Sequence, residues 1–154
     1  MKKSIKLTLI ALVLAQLTSC TTVSTTNKGN VGVDRKQYVG LVSEQEAVEQ
    51  SALAYQQTVK DAEAKKLLNT DSAETKRVRA IADKLIAHVG VFRSDAPSWK
   101  WEVNVQESKE INAYCMAGGK IMVYTGLIDQ IKPTDDELAA VMGHEIAHAL
   151  REHV

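Results

Sequence analysis

Near the end of the chain stands Gly143-His144-Glu145-Ile146-Ala147-His148, an H-E-x-x-H run. Four residues of α-helix turn about 400°, so His144 and His148 share one face, roughly 6 Å apart along the axis. Both imidazoles can then reach one zinc ion. Glu145 points about 100° away, where it can take a proton from a water and leave a nucleophile for a peptide carbonyl. The flanking residues predict the helix this needs. Pro133 stops what precedes it, Thr134 is an N-cap, and Glu137 completes a capping box. Asp135, Asp136 and Glu137 put negative charge on the positive end of the helix dipole, and Leu138, Val141, Met142 and Leu150 supply surface for burial. The plainer alternative is an amphipathic helix on which His144 and His148 are ordinary polar residues.

The other end of the chain predicts a leader. Lys2, Lys3 and Lys6 form a basic segment, and Leu7 to Leu17 is an apolar run too short to span a bilayer comfortably. Leu17-Thr18-Ser19-Cys20 resembles a bacterial lipobox, in which Cys20 becomes the lipidated first residue. Thr21, rather than an aspartate, follows it, which by resemblance to bacterial lipoproteins points to the outer membrane. An ordinary secretory signal with a coincidental cysteine is the alternative. The expected division is a lipoprotein signal peptide over residues 1–19, a lipidated tether over 20–42, and one domain over 43–154. A hydrophobic fraction of 45% supports a core in that domain. The whole chain has a formal net charge of zero, so nothing points to nucleic acid. With Cys20 lipidated, Cys115 is left without a disulfide partner in the mature chain.

Between these ends the pattern alternates helix, strand and helix. Thr21 to Gly32 reads as a flexible tether and Val33 to Leu41 as an extended lead-in. Ser43 caps a long helix running to about Leu68, with Ala47, Val48, Leu53, Val59 and Leu67 only weakly periodic. A second helix, from about Asp71 to His88, carries Val78, Ile81, Ala82, Leu85 and Val89 on one face, with Gly90 as its stop and His88 as a cap. After a Pro97-Ser98 loop, Trp99 to Gln106 alternates as a half-buried strand. Ile111 to Met116 is a second strand, Gly118-Gly119 a turn, and Lys120 to Tyr124 a third strand. Thr125 caps a short helix to about Ile131.

The run from Asn112 through Gly118-Gly119 to Ile128, then Glu137 to Gly143 and His144 to His148, resembles the HtpX-like metallopeptidases, relatives of the CAAX prenyl proteases. The resemblance extends back through Trp101 to Val105 and covers about residues 43–154. It implies an α+β, zincin-like fold with an H-E-x-x-H helix and a small sheet. It also implies zinc-dependent endopeptidase activity on protein or peptide substrates, with His144 and His148 as ligands and Glu145 as general base. Lipoprotein members look like periplasmic quality-control enzymes that cut misassembled outer-membrane proteins. Asn112 and Ala113 match a family motif near the active site, and an exposed strand edge there can hold an extended substrate. Cys115 is either a small packed residue or a thiolate that touches the metal.

A catalytic zinc site takes three protein ligands, and the residues up to Val154 supply two. In the family the third is a glutamate on a later helix, so a longer peptidase is expected. His153, nine residues after His144, faces the opposite side of a continuous helix, and Glu152 lies about 12 Å along the axis from His144. The leading expectation is therefore the N-terminal part of a periplasm-facing, lipid-anchored zinc metalloendopeptidase. Its rivals are a non-catalytic lipoprotein that binds client proteins, and a small zinc-binding lipoprotein whose site Cys115 completes.

Overall fold

The computed structural model describes residues 43–151, and before them two short strands, β1 (Thr22–Val23) and β2 (Gln37–Tyr38), which pair antiparallel. The leader, Cys20, and the Glu152 and His153 positions lie outside the described residues.

Ser43 opens helix α1 (Glu44–Ala64) by accepting a hydrogen bond from the Glu46 amide. The helix is unbroken, and its buried side is Ser51, Tyr55 and Ala62. The apolar residues that suggested weak periodicity do not mark that side: Leu53 is 68% exposed, whereas Tyr55 is fully buried. Helix α2 (Ser72–Ile86) starts where Asp71 accepts from the amides of Ala73 and Glu74. It ends before His88, which opens a single 3-10 turn, Val89–Val91, instead of capping α2. Gly90 belongs to that turn, and a Cβ there would lie 2.9 Å from the Pro97 ring.

Three strands make the main sheet: β3 (Glu102–Gln106), β4 (Ala113–Met116) and β5 (Lys120–Tyr124). Their order is β3-β5-β4, with β5 parallel to β3 and antiparallel to β4. The β4–β5 hairpin closes through Gly118 and Gly119 at φ +75° and +81°, a region where a side chain clashes with its own backbone. A Cβ on Gly119 would also lie 2.6 Å from the Trp101 ring. Strand β3 is shorter than the Trp99–Gln106 alternation suggested. Trp99 and Trp101 precede it as a stacked pair, ring centroids 5.5 Å apart.

Both faces of the sheet are covered. Val105, Ala113, Cys115, Ile121 and Val123 join one core with Val78, Ile81 and Ala82 of α2. Asn104 and Met122 point the other way, towards α1, and are equally buried. The strand is half-buried as the alternation suggests, but on its polar side Asn104 is covered while Glu102 and Gln106 stay partly exposed. Tyr55 explains how that is tolerated: its hydroxyl donates to the Ile121 carbonyl (2.5 Å) and accepts from the Asn104 amide (3.1 Å). The Tyr55 hydroxyl and the Asn104 amide thus gain partners in place of water.

Helix α3 (Thr125–Ile131) follows β5 directly, with Lys132 in the left-handed region at its end. Thr125 does not cap it. Its hydroxyl instead donates to the Ser108 carbonyl and accepts from the Ser108 amide, each at 3.1 Å. Helix α4 (Asp135–Leu150) then crosses β4 and α2.

Candidate active site

Helix α4 begins with both halves of the capping box that the sequence predicts. The Glu137 amide donates to the Thr134 hydroxyl, and the Thr134 amide donates to the Glu137 carboxylate (2.8 Å). That backbone hydrogen bond, with a second from the Thr134 hydroxyl, holds the Glu137 carboxyl below its ordinary range. One stripe of the helix, Leu138, Met142, Ile146 and Ala149, enters the core, each side chain contributing about 1.5–3 kcal/mol if fully buried and large. His144 and His148 emerge on the other side, His144 exposed and His148 half-buried. Glu145 lies half-buried at the border between the two.

The two histidines converge. Their Nε2 atoms stand 2.9 Å apart, and their rings are perpendicular with centroids 4.5 Å apart. Two bare lone pairs at that distance repel, so the pair needs a shared proton or a shared cation. A tetrahedral zinc with bonds of about 2.0–2.1 Å sets its ligand nitrogens roughly 3.3 Å apart. A small outward rotation of either ring reaches that spacing, and imidazole is a donor suited to zinc. The pair therefore fits two positions of a zinc site. Among the described residues, no third His, Cys, Asp or Glu joins it.

Cys115 in particular is not gathered with the histidines. It is 8% exposed, within the core under α4, and its thiol points at the Met116 carbonyl (3.7 Å). Burial pushes that thiol up to about 12, and the nearby Glu145 carboxylate adds to the effect. Among the described residues Cys115 is a packed core side chain and is not grouped with His144 and His148.

Asn112 and Ala113 stand where the edge strand β4 begins. Asn112 is exposed, and its carbonyl accepts from the Tyr124 amide (3.1 Å). By the antiparallel alternation, the backbone groups of Ala113 and Cys115 then face away from β5, along the free edge. The Ala113 amide is already engaged by the Asn112 side chain at 2.9 Å. A surface cavity of about 450 Å³ lined by Leu67, Ser108, Lys109, Gly126 and Asp129 includes no residue of α4 or β4, so it is separate from this chemistry.

Two arginines that sequence reasoning missed hold the ends of α4. At its start, Arg77 of α2 donates to Asp135 and to the Pro133 carbonyl, both at 2.7 Å. At its end, Arg93 donates to the Leu150 carbonyl at 3.2 Å. Arg93 is 6% exposed. It also donates to Asp95 (2.9 Å) and to Glu44 at the start of α1, and its guanidinium lies 5.0 Å from the Trp99 ring centroid.

Paired imidazoles and a carboxylate stand here in H-E-x-x-H order on one helix, an arrangement known from a class of metal-dependent hydrolases. Within that class the chain belongs to peptidase family M48, whose family model matches residues 72–154, just over half of the chain. It is similar to mitochondrial metalloendopeptidase OMA1 of Arabidopsis thaliana, 48% identical over 54 residues, which are 35% of this chain and 11% of OMA1. It resembles metalloprotease LoiP of Escherichia coli at 48% identity over 50 residues, 32% of this chain and 19% of LoiP. Metalloprotease YcaL of Escherichia coli is 30% identical over 103 residues, 62% of this chain and 40% of YcaL. The chain thus spans less than half the length of each of these relatives. No solved structure matches it.

Proposed function

We propose that this chain carries the metal-binding and proton-transfer residues of a zinc-dependent metalloendopeptidase of the HtpX-like kind within family M48. The observation that carries the reading is the convergence of the His144 and His148 Nε2 atoms on one face of α4. Family membership and the metalloprotease names of its relatives support it.

Zinc, when bound by His144 and His148 with a further ligand, supplies Lewis acidity: it lowers the pKa of water and polarises a carbonyl. The rest falls to the chain's own residues. Glu145, one position after His144, takes the proton from the attacking water and returns it to the leaving amine. The free edge of β4, starting at Asn112 and Ala113, offers main-chain groups that hold an extended peptide by strand addition. The substrates are proteins or peptides, with misassembled outer-membrane proteins the expected clients. Cys20 lipidation would place the domain in the bacterial envelope, facing the periplasm from the outer membrane.

The second reading is a non-catalytic lipoprotein that binds client proteins. One variant separates the two. In protein expressed from its complete native reading frame, Glu145→Gln should retain zinc at wild-type stoichiometry and lose peptidase turnover at least about 100-fold, because an amide cannot accept the proton. Turnover equal to wild type would remove the mechanism, and a wild type that neither binds zinc nor cleaves unfolded protein would favour client binding.

A further inference from the structure

We infer that Arg93 is a positioning residue for the metal-binding pair: it holds the last turn of α4 where His148 meets His144. The inference rests on the zinc-peptidase reading above.

An α-helix leaves its final carbonyls without intrahelical partners. The turn that carries His148 is such a place. The Arg151 amide is shared between the carbonyls of Ala147 and His148, the pattern of a helix tightening at its end. Leu150, two residues beyond His148, turns its carbonyl to Arg93 instead of water. The guanidinium satisfies that carbonyl and also sets positive charge against the negative end of the helix dipole.

Arg93 is itself held on several sides. Asp95 engages Nε, Glu44 engages Nη2, and the Trp99 ring lies beside its plane. Contacts from α1 and from the turn around Ala96 thus help to set its position. His144 sits a full turn earlier, in a part of the helix anchored on its opposite face by core residues Met142 and Ile146. Loosening the last turn would move His148 without moving His144, and the two Nε2 atoms would no longer converge. Arg77 provides the contrast, because it secures the opposite end of the same helix through Asp135 and Pro133.

The test uses protein from the complete native reading frame, stripped of metal and loaded with cobalt(II) as a spectroscopic probe. Zinc affinity is measured by competition, and thermal midpoints are recorded alongside. Arg77→Met should lower the midpoint while keeping the wild-type cobalt spectrum and zinc affinity. Arg93→Met should shift the cobalt visible bands and weaken zinc binding about 10- to 100-fold, the range for residues that orient ligands. Arg93→Lys, which keeps a donor but not the fork, should recover part of that loss. A folded Arg93→Met with wild-type spectrum and affinity would overturn the inference. Should Arg93→Met not fold, Arg93→Lys and Glu44→Gln decide it, and unchanged metal properties in both would overturn it equally. Wild-type protein that takes up neither metal would instead sink the zinc reading, and this role with it.

Discussion

Tyr55 stands edge-on to Tyr114, ring centroids 6.5 Å apart, with its hydroxyl between a strand carbonyl and an asparagine amide. Burial drives its phenol well above the ordinary tyrosine range, with the hydrogen bond from Asn104 opposing that shift. It therefore stays a neutral donor throughout the physiological range. Tyr55→Phe keeps the ring and removes the donor, leaving the Ile121 carbonyl short of a partner. The expected cost is about 1–3 kcal/mol, read as a lower urea midpoint with unchanged slope. Cys115 gives a second residue-scale expectation. A thiol that is buried and pushed up to about 12 should react with iodoacetamide at neutral pH only as fast as the protein opens. Labelling of native protein at the rate of a free thiol would contradict that burial. Individual residues differ in how far sequence announces them. His144, Glu145 and His148 are legible because one helix carries all three and the spacing alone decides who meets whom. Arg93 is not, because its partners Glu44 and Leu150 lie 49 and 57 residues away along the chain.

At the scale of elements, α4 was legible at its start because the signals there are local. Proline, threonine cap and returning glutamate act within five residues. Thr134→Ala should therefore cost about 1 kcal/mol, measurable in the thermal midpoint, with little change in metal affinity because the loss falls at the far end from His148. Strand β5 and the turn through Gly118 and Gly119 were equally legible, since two successive turn residues at positive φ need glycine. The misread elements share a cause. Helix α1 looks weakly amphipathic when only aliphatic residues are counted, yet a tyrosine marks its buried side. In the half-buried strand β3, Asn104 reads as solvent-facing because it is polar, yet it packs towards α1, which supplies a hydrogen-bond partner. In both, a polar atom paired inside the core carries no sign of burial in the sequence. Thr125 is the converse case, a good capping residue drawn away by the Ser108 backbone.

Across the whole molecule, the strand order could not be read from the pattern. Alternation gives strands, but not that β5 lies between β3 and β4 or that it runs parallel to β3. Two whole-molecule expectations follow from the packing. Any ligand that binds only the folded form stabilises it by mass action, by about 2.7 kcal/mol at 100 times its Kd. Zinc should therefore raise the thermal midpoint of the protein from its complete reading frame, and chelation should lower it. A midpoint indifferent to chelator would count against the site. The second concerns acid. Burial pushes the Asp95 carboxyl up, but hydrogen bonds from Arg93 and Trp99 outweigh it, and the net value is below the ordinary one. A value lowered by folding contributes stability that is full above the unfolded value, about 3.9, and is lost as pH falls through the folded one. Asp95→Asn should flatten that acid limb of the stability profile while leaving the neutral pH dependence alone.

The strand order also has a consequence for how the chain comes off the ribosome. Strand β5 must slot between β3 and β4, so the hairpin through Gly118 and Gly119 can close as soon as it emerges and then dock on a β3 already made. Among the described residues, helix α4 emerges after the sheet and helix it packs on. The described sheet and helices can therefore form a finished bed before the two histidines arrive on it.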